Sequence, residues 1–167
     1  MASKAAFTPE EWAQIVASPM VAGMAITAAD PGGLWSILRE SIAGGSSLVR
    51  VKQDVAANPL AKAIAEDVEN ADTRTSVRDA TQAKFKGVQV GELRAKAIEE
   101  LRSVAALVDA KAPADASGFK TWLYEVAQRT AEAGKEGGFL GFGGVAVSDA
   151  ERATLAEIQA ALGTRSA

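Results

Sequence analysis

Apolar residues recur at helical spacing along most of the chain. One face of the segment 117–134 carries Phe119, Trp122, Leu123, Val126, Ala127 and Thr130. A second stripe, in the segment 90–110, carries Val90, Leu93, Ala97, Leu101, Val104 and Val108. Steps of three and four residues are typical of an amphipathic α-helix, and no segment alternates convincingly as a strand would. The pattern predicts helices over 9–28, 31–43, 48–57, 59–70, 73–86, 90–110, 117–134 and 148–162.

Capping signals mark several of these helix ends. Thr8 precedes Pro9, and Glu11 stands three residues after Thr8, which is the pattern of a capping box with proline at the first helical position. Phe7 and Trp12 occupy the two positions of a hydrophobic staple around that cap. Further start signals lie at Asp30-Pro31, at Asn58-Pro59 and at Ser148 with Glu151, and Gly163 follows the last helix where a terminal glycine belongs.

Three of the helical segments need closer interpretation. Trp12–Ala29 contains no charged residue, but Gln14, Ser18 and other polar or small residues dilute it, so a buried core helix is favoured over a membrane span. Pro19 removes a backbone hydrogen bond inside that helix and is expected to kink or divide it near Ser18. Asp72–Lys86 is the most polar stretch, and either an exposed helix or a mobile connection explains it.

Together these features predict the fold class and the domain organisation. The fold is all-α: a compact multi-helix bundle of about 6–8 helices in antiparallel hairpins. The chain forms a single helical domain over residues 1–167, with an exposed or mobile segment at 70–88 and a Gly-rich loop at 135–147. The first residues do not have the pattern of a secretory signal, so a cytoplasmic location is the expectation.

The composition excludes several kinds of chemistry but does not identify one. The chain has no cysteine and no histidine. These absences exclude disulfides, thiolate nucleophiles, Ser-His-Asp catalysis and histidine-ligated metals. Clustered carboxylates, Glu66/Asp67/Glu69 and Glu99/Glu100 among them, are interpreted as solvated helix faces. We therefore assign no catalytic, cofactor-binding or metal-binding residue from the sequence, and no cofactor.

Charge argues against two classes of partner. The formal net charge is −3, and basic residues are interspersed with acidic ones. A nucleic-acid-binding face is usually basic and carries aromatic side chains for stacking, so nucleic acid is not an expected partner. A membrane surface is not expected either, because Lys135 is the only basic residue beside the apolar loop described next.

The stretch Gly137–Gly144 is the most unusual feature of the sequence. It places Phe139, Leu140 and Phe142 among five glycines. These apolar side chains must pack against the end of the bundle as a core plug, contact a protein partner or contact lipid. Lipid contact is the weakest of the three alternatives, and the core plug is the favoured one.

Two functions from different classes remain open. The leading hypothesis is a non-enzymatic interaction or regulatory module, homodimeric or bound to another protein through Phe139, Leu140 and Phe142. The alternative is a binder of a small apolar ligand, in a slot that small residues around Pro19–Gly23 leave between the first helix and the face that contains Trp122, with Pro19, Met20 and Trp122 as candidate contacts. An enzyme that uses carboxylate or lysine chemistry ranks third, and no motif matches a known family closely enough to transfer an activity.

Overall fold

The computed structural model describes residues 4–29, 51–52, 54, 57–133 and 147–164. Within these ranges the fold is a compact all-α bundle without strands, as the sequence predicts. Two short 3₁₀ turns lie at Lys4–Ala6 and Val90–Glu92. The α-helices are α1 (Pro9–Thr27), α2 (Pro59–Asp67), α3 (Ala71–Phe85), α4 (Leu93–Lys111), α5 (Pro113–Ala133) and α6 (Asp149–Leu162).

Some predicted elements lie outside the described residues. These are the helix 31–43, most of the helix 48–57, and the Gly-rich loop apart from Val147. Of the predicted helix 48–57, four residues are described: Val51 and Lys52 are helical, whereas Asp54 and Ala57 are not, so the prediction is wrong at its C-terminal end.

The predicted caps of α1 and α6 are both formed. The Glu11 backbone N–H donates to Thr8 Oγ1 at 3.2 Å, and the Thr8 N–H donates to Glu11 Oε2 at 2.8 Å. Phe7 and Trp12 meet as the staple predicts, with ring centroids 6.0 Å apart. Ser148 and Glu151 form the same reciprocal pair at α6. Gly163 ends α6 with φ +66°, a left-handed conformation that glycine adopts without a Cβ clash.

Two helices begin earlier than predicted. Helix α5 starts at Pro113 rather than at 117, because proline at the first helical position needs no backbone N–H. Helix α3 starts at Ala71 rather than at 73, since Asn70 caps it by accepting from the Asp72 N–H at 2.8 Å. For Asp72–Lys86, the exposed helix is therefore the correct alternative of the two.

Pro19 does not divide α1. Proline at this position leaves the Ile15 carbonyl without its helical donor. The Ser18 hydroxyl donates to that carbonyl at 2.6 Å, so the residue before the proline supplies the missing bond. The carbonyl freed by Pro19 is therefore already occupied by a donor from the same helix.

Helix α1 is the central element of the core. Its most extensive contacts are with α4 and α5, which are distant from it in sequence, and it also contacts α3 and α6. Trp12, Ile15, Val16 and Ile26 are buried, which confirms the interpretation as a core helix. None of the helices in the described part of the chain has the length and apolar character needed to cross a membrane.

Buried apolar side chains from five of the six helices form one cluster. Helix α3 is the exception: it contributes only the partly buried Val77 and Phe85, and its single buried residue is Thr73. The largest fully buried apolar side chains are Phe119, Ile15, Ile26, Leu60, Ile64, Leu101, Leu123, Ile158, Leu162, Val104 and Val108.

One asparagine joins α2 to α5. Asn58 Oδ1 accepts from the N–H groups of Leu60 and Ala61, which caps α2, while Asn58 Nδ2 donates to the Asp115 carbonyl at 2.9 Å. This contact needs a glycine on α5, because a Cβ at Gly118 would lie 2.8 Å from Asn58 Nδ2. The sequence predicts the cap but not the second contact.

Candidate functional site

A cavity of about 260 Å³ lies between α1, α3 and α4. Helix α1 lines it with one face, on which Glu10, Gln14, Ala17 and Val21 follow one another at steps of three or four residues. The last two turns of α3 form the opposite wall, and α4 closes the cavity with two residues one turn apart. The lining from these two helices is Ala80, Thr81, Ala83, Lys84, Phe85, Glu100 and Val104.

Small side chains create this space. Ala17 on α1 faces Ala80 and Ala83 on α3, and each carries only a methyl group where a larger residue would close the gap between the helices. Val21, Val104 and Phe85 supply larger apolar surface around it. An apolar lining with a few polar groups is the usual composition of a small-molecule site.

Glu100 is the buried acidic group of the cavity. It lies on α4 with only 9% of its surface exposed. Its Oε2 accepts a hydrogen bond from Lys84 Nζ at 2.5 Å and another from Gln14 Nε2 at 3.2 Å. Gln14 is held in place by a second bond, from the same Nε2 to Ser103 Oγ at 3.0 Å. One carboxylate thus links α1, α3 and α4 at the polar end of the cavity.

Thr81 supplies a second polar atom. Its Oγ1 is buried and has no hydrogen-bond partner in the described part of the chain. Leaving a buried hydroxyl unpaired costs about 1–3 kcal/mol, and such groups are uncommon in native proteins. An unpaired hydroxyl in a cavity wall is consistent with a site that a polar ligand group completes.

Polar contacts hold α3 over the cavity at both ends. Near its start, Asp67 Oδ2 accepts hydrogen bonds from Thr73 Oγ1 at 3.0 Å, from Trp12 Nε1 at 2.6 Å and from Lys4 Nζ at 2.9 Å. At its end, Lys84 pairs with Glu100. Between the two ends, α3 offers few apolar contacts to the core.

Two opposing effects act on the pKa of Asp67, and the hydrogen bonds that lower it outweigh the burial that raises it. Partial desolvation by itself would raise the pKa of this carboxyl. The hydrogen bonds from Trp12, Lys4 and Thr73, with the charge of Lys4, hold the pKa of Asp67 below its usual value of 3.8. Asp67 is therefore ionised at neutral pH and anchors the α3 start to α1.

The charges around the cavity are predominantly acidic. The lining has two carboxylates, Glu10 and Glu100, and one ammonium, Lys84, which gives a net charge of −1. Lys96 also interacts with Glu100, but its ammonium bonds Glu99 at 2.9 Å. That hydrogen bond raises the pKa of Lys96, so Lys96 is charged and engaged outside the cavity.

The arrangement suits binding better than catalysis. General acid–base work needs a group positioned to exchange a proton with a substrate. Here the buried carboxylate is already bonded to an ammonium and an amide. In the described part of the chain, no group of three or more acidic residues is arranged to hold a metal ion.

The residues that the sequence analysis proposed as contacts do not line this cavity. Trp122 is buried at 7% exposure and packs on Phe119, with ring centroids 5.7 Å apart. Pro19 and Met20 are half-buried on α1 and are not among the residues that line the cavity. Phe139, Leu140 and Phe142 lie outside the described residues.

Two acidic residues were wrongly assigned to solvated faces. Glu100 is buried, and Asp67 has a side chain only 20% exposed that accepts three hydrogen bonds. The sequence did contain a signal. Glu100 stands between Ala97 and Val104 at steps of three and four, and therefore on the apolar stripe of its helix.

The alanines of the cavity carried no comparable signal, because alanine is common throughout the chain. Comparison with known proteins adds no assignment: no protein family, curated protein or solved structure gives a significant match to this chain.

Proposed function

We propose that this protein binds a small, largely apolar molecule in the cavity between α1, α3 and α4. The observation that carries the proposal is the cavity itself, about 260 Å³ with a mainly apolar lining and a few polar atoms. Its place differs from the slot expected beside Trp122, but the class of function is the same.

The volume sets the size of the ligand. An engineered apolar cavity of about 150 Å³ binds benzene, which has six heavy atoms. By proportion, a cavity of about 260 Å³ accommodates roughly ten heavy atoms. A single ring with a short chain is of this size, whereas a long-chain lipid is much larger.

Helix α3 provides the route of entry. Because α3 buries little apolar surface, moving it away from α1 and α4 exposes little, and local opening is easiest where buried apolar contacts are few. A ligand that enters there gains contacts with Ala17, Val21 and Val104. Binding is therefore expected to stabilise α3 more than the other helices.

The test uses a neutral probe of the right size, 4-phenyl-1-butanol, and a variant that fills the cavity. We expect the wild-type chain to bind the probe in a titration followed by NMR, with shifts concentrated in α3. Ala80→Leu places four carbons where the cavity has one, and it should abolish binding while the circular dichroism spectrum is kept. Ala106→Leu is the matched control, since Ala106 is exposed on α4 and does not line the cavity.

Two results would contradict the proposal. One is the absence of binding to the wild-type chain at millimolar probe concentration. The other is equal binding by the wild-type and Ala80→Leu chains, which would place the probe elsewhere on the protein.

The interaction hypothesis stays a separate prediction. It depends on Phe139, Leu140 and Phe142, and no described contact bears on it. Changing these three residues to serine is expected to weaken self-association or partner binding without unfolding the chain, which sedimentation and thermal melting would check. A large fall in melting temperature with unchanged association would favour the core plug. A cytoplasmic location is likewise a proposal.

A further inference from the structure

The polar end of the cavity has an unused acceptor. Lys84 and Gln14 both donate to Oε2 of Glu100. Oε1 of the same carboxylate receives no hydrogen bond from the residues that the structure describes. An ionised carboxylate has about four lone-pair sites, so Glu100 can accept a further donor without losing the present two. Oε1 is not among the fully buried unpaired side-chain atoms of the described residues, so it is open to solvent, and a ligand N–H group that donates to it would replace water there.

The local charge favours a cationic ligand over an anionic one, although Glu10 is exposed and contributes less than the buried Glu100. With two carboxylates and one ammonium, the lining carries −1, and one added cation brings the balance to zero. A carboxylate ligand would bring the balance to −2 beside Glu100. Charge interactions are stronger in a partly buried site than in water, so this difference weighs on affinity.

From these two observations we infer that the ligand is a small amphipathic amine. Its apolar body of roughly ten heavy atoms occupies the space between Ala17, Ala80 and Ala83. Its protonated amino group donates to Glu100 Oε1, and the buried Thr81 hydroxyl is available as a second acceptor. This inference rests on the proposed function and adds to it the chemical class of the ligand.

The test compares three probes that share one phenylbutyl body: 4-phenylbutylamine, 4-phenyl-1-butanol and 4-phenylbutyrate. Calorimetric titration of the full chain at pH 7 should rank the amine first, roughly tenfold or more tighter than the alcohol, because hydrogen bonds to charged groups are the stronger ones. The carboxylate should bind most weakly.

Two variants assign the preference to Glu100. Glu100→Gln keeps the size of the side chain but removes its charge, so the ratio of amine affinity to alcohol affinity should fall to about one. Lys84→Met removes the competing ammonium and leaves Glu100 charged, so it should strengthen amine binding. The second variant keeps the test decisive if the first does not fold.

The possible outcomes test the amine preference and the ligand cavity separately. Equal affinities for amine and alcohol would overturn the amine inference and leave the proposed ligand cavity standing. Tightest binding of 4-phenylbutyrate would also overturn it and would make Lys84 the recognition group. Failure of all three probes to bind would overturn both the inference and the proposed function.

Discussion

Helices α3 and α5 both pack against α1, but they do so with different side chains. Helix α5 buries Phe119, Trp122 and Leu123 in the apolar cluster, and Phe119 is completely inaccessible to solvent. Helix α3 buries one residue, Thr73, and is fixed at its ends by the contacts of Asp67 and Lys84.

Helix α1 therefore packs in two different ways on its two sides. Large side chains between α1 and α5 exclude water and stabilise the fold, since burial of apolar surface is the main favourable term in folding. Between α1 and α3, alanines leave a space, and polar contacts replace the apolar ones. The α1–α5 side is filled by large apolar side chains, and the α1–α3 side keeps the space that we propose as a ligand cavity.

The largest expected effect comes from truncating one phenylalanine to alanine on each of the two helices, α5 and α3. Phe119→Ala should destabilise the protein by about 3–5 kcal/mol, because it empties a fully buried site. Phe85→Ala removes a partly buried ring at the edge of the cavity and should cost only about 1–2 kcal/mol. Urea denaturation followed by circular dichroism measures both values.

Phe119→Leu is the control if Phe119→Ala does not fold, and it should fall between the other two. Equal costs at positions 85 and 119 would contradict the distinction between the two sides. They would mean that α3 contributes as much apolar stabilisation as α5.

Local signals explain which parts of this comparison could be predicted from the sequence. The caps at Thr8 and Ser148 involve residues three positions apart, so the pattern determines them directly. The buried face of α5 follows from the spacing of Phe119, Leu123 and other apolar residues. The all-α bundle was predictable for the same reason.

The cavity was not predictable, because it depends on how three helices distant in sequence approach one another. Ala17 and Ala80 resemble the many other alanines of the chain until the fold places them face to face. The hydrogen bond from Trp12 to Asp67 likewise joins residues 55 positions apart. From the sequence, a ligand slot was expected where small residues around Pro19–Gly23 meet the face that contains Trp122, because the sequence does not show which helix packs against which small residues of α1.

The second prediction concerns the contact that holds the start of α3. Asp67→Asn removes the negative charge from the side chain that accepts hydrogen bonds from Trp12, Lys4 and Thr73. It should lower the free energy of unfolding by about 1–2 kcal/mol at pH 7. Asp79→Asn is the control, because it removes one acidic charge from an exposed position of α3 whose ion pair is with the adjacent Arg78. It should change stability by less than about 0.5 kcal/mol.

Acid should remove the same contribution from the wild-type chain. The pKa of Asp67 is lowered in the folded state from 3.8, so its stabilisation is fully present above that pH. As the pH falls below about 3.8, the unfolded chain takes up the proton first, and the contribution is lost through the folded pKa. Between pH 5 and pH 2, the free energy of unfolding of Asp67→Asn should fall less steeply than that of the wild-type chain. Parallel curves for the two chains would exclude Asp67 as a source of the acid-dependent loss of stability.

The smallest effect distinguishes, by its sign, the unpaired hydroxyl on α3 from a paired hydroxyl in the packed core. Thr81 Oγ1 on α3 is buried without a partner, whereas Thr154 Oγ1 on the fully buried side chain of α6 donates to the Ala150 carbonyl at 2.9 Å. Valine has the shape of threonine and similar χ1 restriction, so the substitution mainly removes the hydroxyl. Thr81→Val should therefore stabilise the ligand-free protein by about 0.5–1 kcal/mol, and Thr154→Val should destabilise it by a similar amount. Thermal melting of the two variants in parallel measures the difference. A loss of stability in both would mean that the Thr81 hydroxyl is satisfied within the protein and is not available to a ligand.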